Sequence, residues 1–176
     1  MLKVKNAIPN IFTLGNLSFG ILSLIMSFQE NYRLACYFII ISAIMDRYDG
    51  RLARHFNVSS DLGKELDSLA DLISFGVAPS ILVFNVNNFS NLGLSGYLLA
   101  LIFPIAGAYR LARFNITDFD GSFSGIPITL GGMLLSLYTL LTLNNAANSP
   151  SHNQIPVLLL LITSYLMVCK KKFKKL

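Results

Sequence analysis

The sequence predicts an all-α polytopic membrane protein with six transmembrane helices and a polar cavity that faces the cytoplasm. Its 176 residues are 53% apolar and only 13% charged, and their mean hydropathy is +0.58. No charged residue occurs in the stretches 6–29, 72–109 and 121–169. Because a span needs about 20 apolar residues, the first stretch fits one helix and each of the others fits two segments. These features exclude a water-soluble globular domain and a disordered chain.

Clusters of turn-forming residues divide the apolar stretches into individual helices. The predicted helices are residues 10–28, 34–56, 61–86, 96–112, 125–143 and 155–169. Lys3 and Lys5 in front of the first apolar segment also resemble the start of a secretory signal peptide. That segment is longer than a usual signal core and lacks a small-x-small cleavage site before Glu30, so we predict a span instead.

The positive charges lie almost entirely on one side of this arrangement. With both termini and the even-numbered loops on the same side, thirteen of the fourteen Lys and Arg residues fall there, and only Arg33 falls opposite. This asymmetry predicts an integral protein of the cell membrane with cytoplasmic N- and C-termini. Five of the basic residues follow the last helix within 170–175, where they favour anionic lipid headgroups. We therefore expect the lipid bilayer as a partner and no nucleic acid.

Four carboxylates lie within predicted helices two and three: Asp46, Asp49, Asp67 and Asp71. An ionised side chain at membrane depth costs about 2.5 to 3.5 kcal/mol on insertion scales, so these residues need a wet cavity or a partner. Spacings of three and four residues put each pair on one helix face, and an antiparallel arrangement brings the pairs together. A divalent cation would relieve the resulting repulsion, and ligands of oxygen alone favour Mg²⁺ or Mn²⁺ over zinc.

Small residues accompany the carboxylates at Gly50, Ala53 and Gly63. They permit either close helix packing of the small-xxx-small kind or room for a phosphate and a nucleotide beside the metal. Arg54 offers a positive fork that suits a pyrophosphate, and an ion pair with Asp61 or Glu65 explains it equally well. The residues alone leave these alternatives open.

Residues 46–71 fill all eight fixed positions of the pattern D-x2-D-G-x2-A-R-x8-G-x3-D-x3-D. This segment resembles the signature of the CDP-alcohol phosphatidyltransferase family, and eight fixed positions over 26 residues make the resemblance highly specific. The six helices and cytoplasmic termini are also typical of that family, so we expect one membrane domain over residues 1–176. Segments 9–16, 62–79, 109–115 and 123–127 are similar to the phosphatidylserine synthase branch.

The resemblance implies transfer of a phosphatidyl group from CDP-diacylglycerol to an alcohol, L-serine in this branch, with release of CMP. It implies two Mg²⁺ or Mn²⁺ ions as cofactors and a homodimer as the assembly. Asp46, Asp49, Asp67 and Asp71 would ligate metal, and Asp71 would also accept the proton of the serine hydroxyl. The residues implied to bind CDP-diacylglycerol are Asn10, Thr13, Gly50, Ala53, Arg54 and Gly63. Asn10 follows Pro9 and would serve equally well as a helix cap.

The acceptor is read from the least specific part of the sequence. Arg110 and Arg113 could share a helix face and bind the serine carboxylate or the donor phosphate, although a pair that binds lipid headgroups has the same appearance. Glycerol 3-phosphate and an inositol phosphate are alternative acceptors. A divalent-cation transporter is the alternative from another class, but its acids would be expected near the bilayer midplane, whereas these cluster at one end.

Overall fold

The computed structural model describes residues 2–56, 60–116, 123–143, 154–169 and 172–173, with the side chains of 2–8, 53–56, 123–124 and 172–173 left out. This part of the chain is helical apart from a two-residue antiparallel strand pair, Phe123–Ser124 with Lys172–Phe173. Its six long helices lie where the sequence predicts helices. They are α1 (Leu2–Phe28), α2 (Tyr32–Phe56), α3 (Asp61–Val86), α4 (Leu94–Ile116), α5 (Ile128–Thr142) and α6 (Gln154–Val168), with a short 3-10 turn at Phe89–Leu92.

Helix α1 begins at Leu2, so the predicted start at residue 10 is wrong. The prediction placed a boundary at Pro9 because proline lacks the N–H that a helix interior uses. The helix nevertheless continues through Pro9, whose carbonyl accepts a hydrogen bond from the Thr13 hydroxyl at 3.2 Å. A proline inside a helix frees the carbonyl four residues before it, and prolines in membrane helices are tolerated where the surroundings satisfy such a carbonyl.

Helices α1 and α2 form an antiparallel hairpin closed by a tight turn. Glu30 adopts a positive φ of 60°, and the Asn31 N–H donates to the Met26 carbonyl at 2.9 Å. Further along, the Ser23 hydroxyl donates to the Ala35 carbonyl at 2.9 Å. This register places the polar residues in the first half of α1 beside the carboxylates of α2.

Helix α3 changes its hydrogen bonding at Leu72–Val77, which forms a π-helical segment directly after Asp71. Other helices approach this segment closely. A Cβ added at Gly20 of α1 would lie 2.2 Å from Ser74 Oγ, and one added at Gly132 of α5 would lie 2.4 Å from the Phe75 carbonyl oxygen. Both glycines are therefore required by the close crossing of helices.

The core and the surface of the bundle are both apolar. Phe75, Phe103 and Leu135 are fully buried in the core, whereas Leu94 and Tyr165 expose 76% and 70% of their surface. Among the described residues, three helices are long and apolar enough to cross a membrane: Pro9–Phe28, Asp61–Val86 and Leu94–Ile116. Helices α5 and α6 are apolar but have 15 residues each, or about 22 Å at 1.5 Å per residue. The structure therefore supports a membrane protein, and the count of six spans stays a prediction.

Candidate active site

Three carboxylates meet where the end of α2 faces the start of α3. Helix α3 begins beside Ser60, whose hydroxyl caps it by accepting from the Gly63 N–H at 3.0 Å. One carboxylate oxygen each of Asp46, Asp49 and Asp67 lies within 4.8 Å of the others. The spacing within each helix and the antiparallel packing thus bring together three of the four carboxylates that the sequence predicts to converge. Their ligation of a metal stays a prediction.

Asp71 lies one helical turn beyond Asp67 and is only 8% exposed. Its Oδ1 accepts a hydrogen bond from Asn16 Nδ2 of α1 at 3.2 Å, and its carboxyl group interacts electrostatically with that of Asp46. Asp71 therefore lies near the other three carboxylates but outside the group whose oxygens lie within 4.8 Å of one another, and it has a partner of its own on α1.

The carboxylates fit a divalent cation by their chemistry and by one unsatisfied atom. Asp67 Oδ1 is buried and has no hydrogen-bond partner within the described part of the chain. Asp49 is 6% exposed, so water does little to separate the charges of Asp46, Asp49 and Asp67. A buried, unpaired carboxylate oxygen is costly, and a cation held between several such oxygens removes the cost. The oxygen-only donor set is the one that Mg²⁺ and Mn²⁺ prefer.

Helix α1 contributes Asn10 and Thr13 to the same end of the bundle. The Thr13 hydroxyl donates to Asp49 Oδ2 at 3.0 Å, so in this structure it holds a carboxylate in place. Asn10 lies several residues inside α1, which excludes the helix-cap explanation for it. Its Oδ1 is 3.2 Å from the position of a Cβ added at Gly63, so Asn10 and Gly63 face each other across the two helices.

Gly50 has a different environment from Gly20 and Gly132, which lie where helices cross closely. A Cβ added at this position would meet no described atom within 4 Å. Gly50 is therefore not needed for close helix packing in this part of the structure, which leaves space for a ligand beside Asp49. Ala53 and Arg54 follow on α2, but their side chains lie outside the described residues.

The two arginines of α4 are directed to different surroundings despite their spacing of three residues. Arg110 is 9% exposed and interacts electrostatically with Asp71, and its Nε has no hydrogen-bond partner among the residues that the structure describes. Arg113 Nη1 donates to the Val168 carbonyl at 3.2 Å, and its guanidinium lies 5.9 Å from the centre of the Tyr109 ring. Arg110 is thus the arginine beside the carboxylates.

Asn16 is the site residue that the sequence analysis missed. It is completely buried, and its amide contacts Asp71. The available signal was an amide side chain inside a helix long and apolar enough to span a membrane, because polar groups at such depth are costly without a partner. The carboxylate pattern covers only α2 and α3, and Asn16 lies on α1.

Comparison with known proteins gives a consistent result over most of the chain. Residues 6–170 match the family model for CDP-alcohol phosphatidyltransferase. The CDP-diacylglycerol–serine O-phosphatidyltransferase of Bacillus subtilis (strain 168) is 40% identical over 172 residues, which are 96% of this chain and 90% of that protein. The protein of the same name from Helicobacter pylori (strain ATCC 700392 / 26695) is 42% identical over 136 residues, 76% of this chain and 57% of that protein.

An archaeal relative carries a different name. The archaetidylserine synthase of Methanothermobacter thermautotrophicus is 33% identical over 138 residues, 76% of this chain and 58% of that protein. The aligned part thus spans a little over half the length of the Helicobacter and archaeal relatives and most of the Bacillus relative.

Proposed function

Because the chain belongs to the CDP-alcohol phosphatidyltransferase family, we propose that it transfers the phosphatidyl group of CDP-diacylglycerol to L-serine, giving phosphatidylserine and CMP. The observation that carries this proposal is the group of three carboxylates whose oxygens lie within 4.8 Å of one another, next to open space at Gly50 and beside Arg110. The names of the Bacillus and Helicobacter relatives specify serine as the acceptor, and the name of the archaeal relative specifies a serine lipid as the product.

Asp46, Asp49, Asp67 and Asp71 hold divalent metal in this proposal, as two ions of Mg²⁺ or Mn²⁺. Such ions, when bound, neutralise the charge of a diphosphate and so assist attack on phosphorus. The buried, unpartnered Asp67 Oδ1 supports this assignment, because it needs a positive partner that the described residues do not supply.

Asp71 is the proposed catalytic base. As the serine oxygen forms its bond to the donor phosphorus, the hydroxyl proton passes to the Asp71 carboxylate, and the phosphorus–oxygen bond to CMP breaks. An ordinary carboxylate is a weak base for an alcohol, so its contribution depends on proximity and a fixed orientation. The buried position of Asp71 and its hydrogen bond to Asn16 support this role.

The donor nucleotide and its diphosphate occupy the space between α1, α2 and the start of α3. Gly50 and Gly63 allow the ligand to approach the helix backbones, and Asn10 provides a polar contact. Thr13 acts mainly by holding Asp49. We also assign Ala53 and Arg54, whose side chains lie outside the described residues, to the donor site, because they fill fixed positions of the family pattern in residues 46–71.

Arg110 binds the α-carboxylate of serine in this proposal, and Arg113 contributes positive charge for the donor phosphate. Arg110 supports this role because it is buried, near Asp71, and keeps an Nε without a hydrogen-bond partner among the described residues. A guanidinium in that state is suited to a carboxylate, which accepts two parallel hydrogen bonds from it.

The protein crosses the cell membrane six times in this proposal, with both termini in the cytoplasm and the carboxylate cavity open to the cytoplasm. The one-sided distribution of Lys and Arg supports the orientation. The whole chain, residues 1–176, forms one membrane domain, and two copies associate as a homodimer.

An assay with purified protein tests the function. The protein in detergent with CDP-diacylglycerol, radiolabelled L-serine and Mn²⁺ or Mg²⁺ should form a labelled phospholipid and release CMP, whereas Asp71→Asn should not. Chelation should stop the reaction, and added metal should restore it. Leu92→Ala, a change in the exposed connection before α4, is the control and should keep wild-type activity.

Two results would contradict the proposal. Faster CMP release with glycerol 3-phosphate or an inositol phosphate than with serine would assign another acceptor. Metal-ion flux into liposomes that contain the protein, without any CMP release, would assign a divalent-cation transporter.

A further inference from the structure

We propose that Asn16 is a positioning residue that fixes the orientation of the Asp71 carboxylate toward the acceptor hydroxyl. This inference rests on the proposed role of Asp71 as the base. Asn16 lies on α1, outside the carboxylate pattern of α2 and α3, and does not contact the reacting atoms in this proposal. It acts through one hydrogen bond, from Nδ2 to Asp71 Oδ1 at 3.2 Å.

The amide of Asn16 is itself held by a neighbour on α2. The Ser42 hydroxyl lies against both the main-chain oxygen of Asn16, at 3.0 Å, and its side-chain Oδ1. A hydroxyl that donates to the oxygen end of an amide directs the NH₂ end the opposite way. Ser42 therefore turns the donor of Asn16 toward Asp71.

Ser74 makes only half of this contact. Its hydroxyl donates to the main-chain oxygen of Asn16 at 3.0 Å, the same length as the bond from Ser42. Ser42 and Ser74 are both completely buried. The two serines thus differ in one respect that matters here, which is the contact of Ser42 with the side-chain amide.

The crossing of α1 and α3 explains why Asn16 reaches Asp71. A Cβ added at Gly20 would lie 2.8 Å from Ser74 Cα, so the two helix backbones nearly touch there. Asn16 lies four residues before Gly20, and Asp71 lies three residues before Ser74. One turn from the closest approach, side chains of this length bridge the helices.

A buried carboxylate with a fixed donor loses rotational freedom before the substrate arrives. Holding a reacting group in the correct orientation lowers the barrier without strengthening substrate binding. The positioning role therefore predicts a change in kcat with little change in KM. Polar contacts that only join helices would instead change the stability of the fold.

The test compares Asn16→Leu, Ser42→Ala and Ser74→Ala in the serine-dependent release of CMP. We expect Asn16→Leu to lower kcat by about tenfold to hundredfold, part of what a positioned base supplies. Ser42→Ala should lower kcat by about threefold to tenfold, as expected for one neutral hydrogen bond, and Ser74→Ala should remain near wild type. The KM for each substrate should stay within about twofold in all three variants, and the losses of kcat should persist at saturating Mn²⁺.

The double variant Asn16→Leu/Ser42→Ala should be no slower than Asn16→Leu, because Ser42 acts through the amide that is already absent. Equal loss of kcat in Ser42→Ala and Ser74→Ala would overturn the proposal, since it would assign the effect to the main-chain contact. A wild-type kcat in Asn16→Leu, or a loss of kcat in that variant that saturating Mn²⁺ restores in full, would also overturn it. If Asn16→Leu does not fold, the comparison of Ser42→Ala with Ser74→Ala decides alone.

If the proposed function is wrong, the activity assays give a different set of results. Activity of the wild type with another alcohol would refute serine as the acceptor, and the same variants would then be compared with that alcohol. Full activity of Asp71→Asn would remove the base from the mechanism, whatever the behaviour of Asn16.

Discussion

Gly50 and Gly20 are both helical glycines, but a methyl group would meet different surroundings at the two positions. At Gly20 it would collide with Ser74, whereas at Gly50 it would meet no described atom within 4 Å. Packing therefore explains Gly20 and does not explain Gly50. Because glycine inside a helix is less stable than alanine, the open space at Gly50 supports its proposed contact with the donor.

Gly50→Ala should make the protein more stable and a poorer enzyme. We expect the free energy of unfolding to rise by about 0.5 to 1 kcal/mol, because alanine restricts the unfolded chain and favours the helix. The KM for CDP-diacylglycerol should rise about tenfold, equivalent to about 1.4 kcal/mol of lost binding. Thermal unfolding in detergent and steady-state kinetics measure the two effects.

Gly15→Ala is the matched control for this experiment. A Cβ at Gly15 would make only an ordinary contact, 3.8 Å from Met45 Sδ. This variant should leave the KM for the donor unchanged. An unchanged KM in Gly50→Ala as well would show that the open space is not used by the donor.

Arg110→Ala should raise the KM for serine more than the KM for CDP-diacylglycerol. Loss of a hydrogen bond to a charged group weakens binding by about 1.5 to 3 kcal/mol, which corresponds to about tenfold to hundredfold. Arg113→Ala should have the smaller effect on serine, since its guanidinium donates to the Val168 carbonyl. A serine KM that is equal in both variants and the wild type would refute the assignment of the carboxylate site.

Helix α3 links the site to the rest of the bundle through its π segment. Asp71 ends the regular α-helical part, and Leu72–Val77 follows at once with wider turns. Such segments are frequent at functional sites, where they change the direction of side chains. Here the segment is also where Gly20 of α1 and Gly132 of α5 pack directly against α3. The orientation of Asp71 therefore depends on how three helices pack.

Gly20→Ala should destabilise the bundle, although the same change stabilises an isolated helix. The new Cβ would lie 2.2 Å from Ser74 Oγ and 2.8 Å from Ser74 Cα, so the backbones would have to separate. We expect a loss of about 1 to 3 kcal/mol in the free energy of unfolding, typical of an overpacked core. Denaturation in detergent measures this loss, and the control Gly15→Ala, on the same helix, should be at least as stable as the wild type. A Gly20→Ala variant as stable as Gly15→Ala would contradict the close crossing.

At the scale of the whole molecule, charged side chains lie toward the ends of the bundle, and large apolar side chains cover its outside between them. Large apolar side chains such as Leu94, Ile105 and Tyr165 are exposed on the outside of the bundle, which is a suitable surface for lipid. The carboxylates of α2 and α3 lie at one end, and Arg33 lies at the opposite end of α2. This arrangement predicts a site at one membrane surface.

Cysteine labelling tests the orientation in the membrane. After replacement of Cys36 and Cys169 by Ser, the variants Glu30→Cys and Asp61→Cys each carry one exposed thiol, the first just before α2 and the second just after it. A maleimide that does not cross membranes should label Glu30→Cys in intact cells and Asp61→Cys only after lysis. The reverse pattern would invert the orientation, and labelling of both in intact cells would show that α2 does not cross.

The sequence by itself was enough to predict where the helices lie and which residues share a helix face. Apolar length located α2 to α6 to within a few residues, and the spacing of Asp46, Asp49 and Asp67 was enough to predict that they meet. Local spacing suffices here because a helix repeats every 3.6 residues and its short connection fixes which end faces its neighbour. Pro9 gave the misplaced start of α1, because the helix continues through this proline.

Apart from these carboxylates, only the tertiary structure decided which side chains meet between helices. The contact of Asn16 with Asp71, the position of Asn10 opposite Gly63 and the separate surroundings of Arg110 and Arg113 do not follow from any spacing along the chain. They depend on the depth and angle at which helices cross. A few close contacts between backbones set that geometry, because tightly packed helices leave little freedom to slide or rotate.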